Sequence, residues 1–505
     1  MSRASRCVTA ALVVASVCVP LAGVPPAPAL AAPALALPSS IRVNVAPSPT
    51  SYAVISSSGT ATATAPDGRI LYRGPGRTLS RTNVRRVADL GGQELPSPTP
   101  GALTAEERAD RASILREARV AARDPAAHGL VTVPFEFSLL RDDRDAVGAV
   151  ALSGDRVVGV RFTAADGLLQ FNGRSFRGAL ELALDDEGDM IVVNDVATQD
   201  YLASVVGAEM PAAWTAAALG AQAIAARTYL LTHLRRHSSY DLEGDTRDQA
   251  YDGTKSEAES TRRAVQRTAG VVATYRGAAI EALYSANAGG ITEDSENVFA
   301  NALPYLRSVA SPGDEIAKDV SWGSASWAWT KEVTAPQLRD YLAARDFDVG
   351  EPKSIDLTQV SASGRVLVAR VTGTLGTREI GKDRTRYYFG LRSTLFSVAL
   401  RPGGDTEYVD AANADRLRAL EALGAAPVGA AYRRIVGRNR ETDEPRILGY
   451  TFQLPGRFVF SGRGFGHGVG MSQWGAEAMA RGGASSEQIL THYYRGIQLT
   501  AVGGG

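Results

Sequence analysis

The chain has 505 residues, 45% of them apolar, with 54 Lys and Arg balanced by 54 Asp and Glu. Domains usually take roughly 100–200 residues, so two or three are expected. A formal charge of zero, without a long run of one sign, gives no electrostatic support for nucleic acid or another polyanion as a partner.

Residues 1–31 read as a signal peptide. Arg3 and Arg6 precede an apolar run from Val8 to Val19, and Ala29-Leu30-Ala31 follows as a small-x-small cleavage pattern. The run is shorter than the ~20 residues a membrane span needs, which argues against the alternative of an uncleaved anchor. No later segment is long and apolar enough to span. Export to the extracytoplasmic side is expected, with the mature chain beginning near Ala32. Both cysteines, Cys7 and Cys18, then lie upstream of the cut. The bulky Val17 before Cys18 argues against lipidation. The mature chain would have no disulfide, no thiolate metal site and no cysteine nucleophile.

Residues 32–130 read as an N-terminal lead-in with one helix. The stretch 32–60 is rich in Pro, Ala, Ser and Thr, with one strand-like run at Ile41–Val45, and its composition suggests a loosely attached segment. Thr104-Ala-Glu-Glu107 is a capping box ahead of a helical pattern over Glu106–Ala122. Residues 131–195 read as β-rich. The runs Val131–Leu140, Val147–Ala151, Val157–Thr163, Ala179–Leu184 and Met190–Val193 are apolar and β-branched. Asp166-Gly167, Asn172-Gly173 and Glu187-Gly188 mark turns between them.

Residues 196–505 form the remaining region. Val196 to His237 is Ala-rich and helical, with a break at Met210-Pro211, because proline disfavours helix in the residue before it. Thr215 can cap a second helix running to about Arg236. Val271–Tyr275 and Ala279–Ser285 suggest a hairpin around Arg276-Gly277, and more strands follow over 355–400. Asn413 can cap a helix over Ala414–Leu423. Two short helices close the chain, one after Ser472 and one after Ser485, where Gln488 completes a capping box. The fold class is α+β: mixed antiparallel strands, an Ala-rich helical segment and two short C-terminal helices.

Four constellations carry candidate chemistry. Tyr201, Val205 and Glu209 lie at i, i+4 and i+8 on one face of the first helix. A carboxylate at the end of that apolar stripe is either a general acid, its pKa raised by apolar surroundings, or an ordinary solvated Glu. In Gln222-Ala-Ile-Ala-Ala-Arg-Thr-Tyr229 the large polar groups are Gln222 and Arg227, which either hold ligand or belong to the helix surface. Tyr284 to Val298 contains Ser285, Asn287 and Gly289-Gly290 and reads as a polar loop, with or without a ligand against it. Glycines at 462, 464, 466, 468 and 470 have period two. In a strand, one face would be bare backbone while Arg463, Phe465, His467 and Val469 point the other way. Glycine weakens a strand, so this row implies close approach of a ligand or another backbone.

Taken together, YLASVVGAEMPAAW, AQAIAARTYLL, EALYSANAGGITEDSENVF, PYLRSV, LRSTLFSV and GRGFGHGVGMSQWGAEAMA, followed by ILTHYYRG, resemble the stage II sporulation protein D family, which includes the amidase-enhancer proteins. The likeness runs in one order from about 189 to 500. It implies a lytic transglycosylase acting on the glycan strands of peptidoglycan, with Glu209 of the E-M-P motif as sole acid and base. It further implies that Arg227, Tyr229, Ser285, His467 and Gln473 line the substrate groove, joined by Tyr201 and Gln222. Glu293 and Glu296 are the next carboxyls in line. The rival reading within the same family is a non-catalytic wall-binding protein that stimulates an N-acetylmuramyl-L-alanine amidase. Some members resemble one another in a Cys/His zinc cluster after the helix. Here Tyr240 to Gly253 keeps the frame but places Glu243, Arg247 and Asp248 where ligands would stand. His233 and His237, at i and i+4, remain as an incomplete pair. No metal and no cofactor are expected.

Overall fold

Met190–Ala197 is rich in the β-branched residues that favour a strand, and it is an inner strand of a seven-stranded sheet. The computed structural model describes residues 35–46, 48, 53–75, 80–86, 105–122, 130–141, 144–153, 156–427, 436–438, 445–447 and 449–503. The signal segment and both cysteines lie outside them. Ala179–Leu184 pairs antiparallel with one edge of Met190–Ala197, and Ser40–Asn44 pairs antiparallel with the other. Leu242–Glu243 adds a parallel strand beyond Ser40–Asn44. Arg161–Ala164, Thr60–Thr64 and Ile70–Pro75 complete the far side.

This corrects the expectation of a loosely attached segment over 32–60. Ile41, Val43 and Val45 are fully buried, although their surroundings have the composition of a linker. The strand forms because Met190–Ala197 supplies both its hydrogen bonds and its apolar contacts, neither of which is local. Arg42 on the same strand donates to Glu181 at 2.8 Å and to Ser239 O at 3.0 Å, fixing the lead-in across the sheet.

A second sheet also has seven strands, in the order Arg174–Phe176, Leu169–Phe171, Val54–Ser57, Ser80–Arg86, Leu130–Arg141, Arg144–Ser153 and Arg156–Val158. The expected strand Val157–Thr163 is therefore two strands, one in each sheet, with the chain crossing over at Gly159-Val160. Helix α1 spans Ala105–Ala122, as its periodicity suggests; its capping Thr104 lies outside the described residues.

Helix α2 (Thr198–Glu209) follows the sheet directly. It stops where Pro211 forces Met210 into extended backbone, φ −130° and ψ 140°. Gly207 lets the 253–256 turn pack on it, since a Cβ there would stand 1.9 Å from Ser256 O. Helix α3 (Ala216–His233) starts at Thr215, whose hydroxyl accepts from Ala218 N–H. It ends at His233 rather than near Arg236, with Arg235 at φ 59°, so His237 does not share its face. Helix α4 (Glu259–Arg267) packs across both. Val205, Val206, Leu219, Ala223 and Ala226 belong to the same buried core as Ile41, Phe162 and Leu182 of the sheet.

A second core gathers Leu338, Val371, Phe389 and Phe460 around the strands Pro352–Val360, Val366–Gly373 and Gly376–Gly381 and the ribbon Ala328–Thr334, Arg457–Arg463, Phe396–Arg401. Helix Ala414–Leu423 is capped by Asn413, and helix Ser486–Tyr493 has the Ser485/Gln488 box, both as the sequence suggests. Two expectations change. The hairpin after Tyr275 has only Ala278–Ala279 as its return strand, while Tyr284–Ser285 pairs instead with Met471–Ser472. The glycine row is a strand only as far as Arg463. Gly464, Gly466, Gly468 and Gly470 take φ of 83°, 107°, 76° and 75°, so period two reflects left-handed backbone at every second residue.

Arg42→Ala tests whether the lead-in strand is integral. It leaves the Glu181 carboxylate, 4% exposed, with only Arg161 at 3.6 Å. Breaking a buried pair from one side costs about 3–5 kcal/mol, and the remaining Arg161 puts the expected loss near the lower end in urea denaturation. A loss below about 1 kcal/mol would mean that the segment is only loosely held.

Candidate functional site

Glu209 is the last residue of α2, half-buried, and both of its carboxylate oxygens are engaged by segments far away in sequence. Ala250 N–H donates to Oε1 at 3.0 Å, and Gln473 Nε2 donates to Oε2 at 3.0 Å. Burial pushes the Glu209 carboxyl pKa up, and the two donors partly oppose that shift because they favour the ionised form. The carboxyl is thus displaced toward the range where it can carry a proton.

The loop bearing Ala250 is locked residue by residue. Asp248 accepts from Glu243 N–H at 2.8 Å, Tyr229 OH at 2.9 Å and Arg236 Nη1 at 3.0 Å. Gln249 donates to Tyr201 OH at 3.1 Å and accepts from Tyr284 OH at 2.9 Å. Tyr251 OH donates to Asn194 Oδ1 at 2.6 Å, and its ring stands 5.2 Å from that of Tyr201. Upstream, Glu243 accepts from Tyr240 OH and Asn44 Nδ2 and pairs with Arg247. Among the described residues no group of three or more His, Cys, Asp and Glu side chains stands together as metal ligands would.

Gln473 is positioned from the other side. It opens the helix Gln473–Arg481, and Glu477 one turn later accepts from both Thr215 N–H at 3.0 Å and Thr215 OH at 2.8 Å. A carboxylate at the first turn of α3 satisfies otherwise unpaired donors and meets the positive end of the helix dipole. That contact sets the helix, and with it Gln473, against the end of α2.

Of the residues singled out in the sequence, Glu209, Gln473, Tyr201 and Tyr229 fall in one hydrogen-bonded assembly with Gln249 and Asp248. Ser285 lies beside it on the strand Tyr284–Ser285, and its hydroxyl has no partner among the described residues. Gly466 packs so close that an added Cβ would meet Ser285 Cβ at 2.8 Å. His467 follows, its Nδ1 accepting from Val469 N–H at 3.0 Å and its ring edge-on to Phe299. Burial lowers its pKa to about 4, so the ring is neutral near pH 7.

Two residues are placed otherwise than the groove expectation has them. Arg227 is completely buried and donates to Val265 O, Val271 O and Thr268 Oγ1, holding α4 and the strand Val271–Tyr275 to α3. Gln222 is also completely buried, and its amide has no partner among the described residues. The reserve carboxyls are committed as well. Glu293 accepts from Asp294 N–H, Asn297 and the hydroxyls of Ser361 and Ser363, and Glu296 is paired with Arg307. His233 stacks on Tyr229 and His237 on Tyr240, so the two imidazoles have separate partners.

Sequence reasoning passed over Gln249, the Ala250 amide and Tyr284. The signal for Gln249 and the Ala250 amide was the Gln249-x-Tyr251-x-Gly253 frame, whose tyrosine and glutamine are both buried here; no such frame marks Tyr284.

Residues 186–275 match the family described as Stage II sporulation protein. A protein of Brachyspira hyodysenteriae, named only as uncharacterized, is 28% identical over 344 residues, covering 68% of this chain and 76% of its own. Stage II sporulation protein D of Bacillus subtilis is 28% identical over 328 residues, 61% of this chain and 76% of its own. The amidase enhancer of Bacillus subtilis is 29% identical over 320 residues, 59% of this chain but 40% of its own length.

The electrostatics of the clamp are open to direct titration. Carbon-13 NMR of labelled glutamate is expected to show Glu209 ionising above the ordinary carboxyl value of 4.5. Gln473→Leu removes a donor that favours the carboxylate, so its midpoint moves further up. A midpoint unmoved by that change would mean that the amide does not bond the carboxylate in solution.

Proposed function

The chain belongs to the stage II sporulation protein D family, and on that footing we propose that it is an exported cell-envelope enzyme, a lytic transglycosylase of peptidoglycan glycan strands. The observation that carries the proposal is Glu209 itself. It is a half-buried carboxyl with a raised pKa, and each of its two oxygens accepts a hydrogen bond from a neutral amide. Ordinary glycosidases need two carboxyl groups flanking the scissile bond. A lytic transglycosylase takes its nucleophile from the substrate, so one carboxyl suffices.

Protonated Glu209 gives its proton to the glycosidic oxygen as the bond from C1 of N-acetylmuramic acid breaks. The resulting carboxylate then takes the proton of that sugar's C6 hydroxyl, and O6 closes onto C1. The chain ends in a 1,6-anhydro sugar, water is not consumed, and Glu209 recovers its proton. The Ala250 N–H and Gln473 amide stabilise the carboxylate between the two transfers, which keeps a residue of raised pKa from being locked in the acid form. Gln249 with Tyr201 and Tyr284 holds the Ala250 donor in register, and Ser285 and His467 extend the surface along which a strand lies. The mature protein begins near Ala32, outside the cytoplasm. Among the described residues no helix is long and apolar enough to cross a membrane.

The second reading is wall binding without cleavage in support of an amidase, and it is favoured by the relative named as an amidase enhancer. Peptide-free glycan strands separate the two. Wild type is expected to release anhydro-ended fragments. Glu209→Gln keeps the shape, with the Gln473 amide turned over to accept from the new NH2, and is expected to lose about 10²–10⁴-fold in rate at unchanged thermal stability. Near-normal turnover by the variant would remove Glu209 from the chemistry, and binding without any product from wild type would favour the enhancer role.

A further inference from the structure

A cleft of about 350 Å³ opens between α3, α4 and the helix Ser486–Tyr493, and the reading of Glu209 does not use it. One wall is the indole of Trp214, and the floor is made of small groups at Ala216, Gly220 and Ala264 beside Leu219. Arg263 and Arg267, one turn apart on α4, stand at its rim and are exposed. Arg267 has no ion pair or hydrogen bond among the described residues, and Arg263 has only a 3.7 Å contact with the exposed Glu259. An exposed pair of that kind contributes little and exchanges readily for a better anion.

The hydroxyls of the cleft are oriented too. Ser260 donates to Ala212 O, Ser486 to Ala217 O and Thr268 to Ala264 O. With their hydrogens committed to backbone carbonyls, the Ser260 and Ser486 oxygens offer lone pairs to a ligand's O–H or N–H groups, while Thr268 Oγ1 already accepts from Arg227. The cleft therefore combines paired guanidinium donors for one anion, two serine hydroxyl acceptors, and an aromatic face. That set matches a sugar ring bearing both hydroxyls and a carboxylate better than an inorganic anion or an apolar group. The volume suits one ring, at the small end of ligand pockets.

The place of the cleft relative to Glu209 strengthens the match. The ring of Trp214 meets that of Trp474 at 4.9 Å, and Trp474 follows directly on Gln473, whose amide bonds Glu209. Trp214 itself sits in the turn that Pro211 opens after Glu209. We propose that this cleft is an accessory subsite for a carboxylate-bearing N-acetylated amino sugar, with the carboxylate on Arg263 and Arg267 and the ring against Trp214. The choice of sugar rests on the glycan reading of the Glu209 site.

The test uses the full-length Glu209→Gln protein, so that nothing is cleaved, and follows the Trp214 indole N–H by NMR. Titration with N-acetylmuramic acid is expected to saturate, and N-acetylglucosamine, which lacks the carboxylate, is expected to bind about tenfold or more weakly, the worth of a charge-assisted contact. The double change Arg263→Gln with Arg267→Gln should erase that preference at unchanged melting temperature, and Arg267→Lys, which keeps the charge without the fork, should lose part of it. Equal binding of the two sugars, a preference that survives the double change, or tighter binding of D-alanyl-D-alanine than of N-acetylmuramic acid each overturns the proposal. Because the readout is binding, a wild-type protein that cuts no strand leaves the result intact, and failure of the subsite leaves Glu209 untouched.

Discussion

The site depends on one carboxylate held between two donors that the chain brings from two separate downstream segments. Glu209 Oε1 meets a backbone amide 41 residues downstream, and Oε2 meets a side-chain amide 264 residues downstream. Neither contact survives unless α2 ends where it does, because one more helical turn would carry the chain past Ala250 and Gln473. Pro211 sets that end. Asp248 then fixes the loop by taking three donors, and Glu477 fixes the opposite helix through Thr215. Each support is itself a carboxylate with a buried side chain that takes three donors, whereas Glu209 takes two and keeps a lone pair on each oxygen.

The glycine row serves the same geometry in another way. Left-handed backbone at Gly464, Gly466, Gly468 and Gly470 lets the segment run against residues 283–293 with almost no side-chain spacing. Asn287 exchanges backbone hydrogen bonds with Phe465, and Glu293 N–H donates to Gly468 O. Side chains from the alternate positions, Phe465 and His467, are left at the surface or half-buried, beside Ser285. A side chain at Gly468 would strike the buried Arg365 guanidinium, whose Nη2 donates to Ala288 O. The row therefore joins the Gln473 segment to the Tyr284–Ser285 strand, and those two segments reach Glu209 and Gln249 respectively.

Much of this was legible in the sequence where the signal is local. The break at Met210-Pro211, the caps at Thr215, Asn413 and Ser485, and the α+β class follow from residue chemistry that acts within a few positions. What was not legible depends on partners distant in the chain. Ser40–Asn44 becomes a strand only because Met190–Ala197 lies beside it. Arg227, a large cation among alanines, looks equally suited to a groove or a surface, and the fold instead surrounds it with carbonyls that no local pattern announces. Period-two glycine is also ambiguous by nature, since alternation in a strand and alternation of left-handed turns give the same sequence spacing. The catalytic candidate rests on the spacing of an apolar stripe and a family likeness, which also names Gln473; that Gln473 and the Ala250 amide bond the two oxygens of Glu209 follows only from the fold.

The account stands on one carboxyl performing both proton transfers with the sugar's own hydroxyl as nucleophile. The most direct measurement is mass spectrometry of the fragments released from peptide-free glycan strands in water enriched in heavy oxygen. The account predicts 1,6-anhydro ends that carry no solvent oxygen at any time during the digest. Reducing ends that incorporate one solvent oxygen from the first turnover would contradict it, because water would then be the nucleophile and Glu209 could not be acting alone.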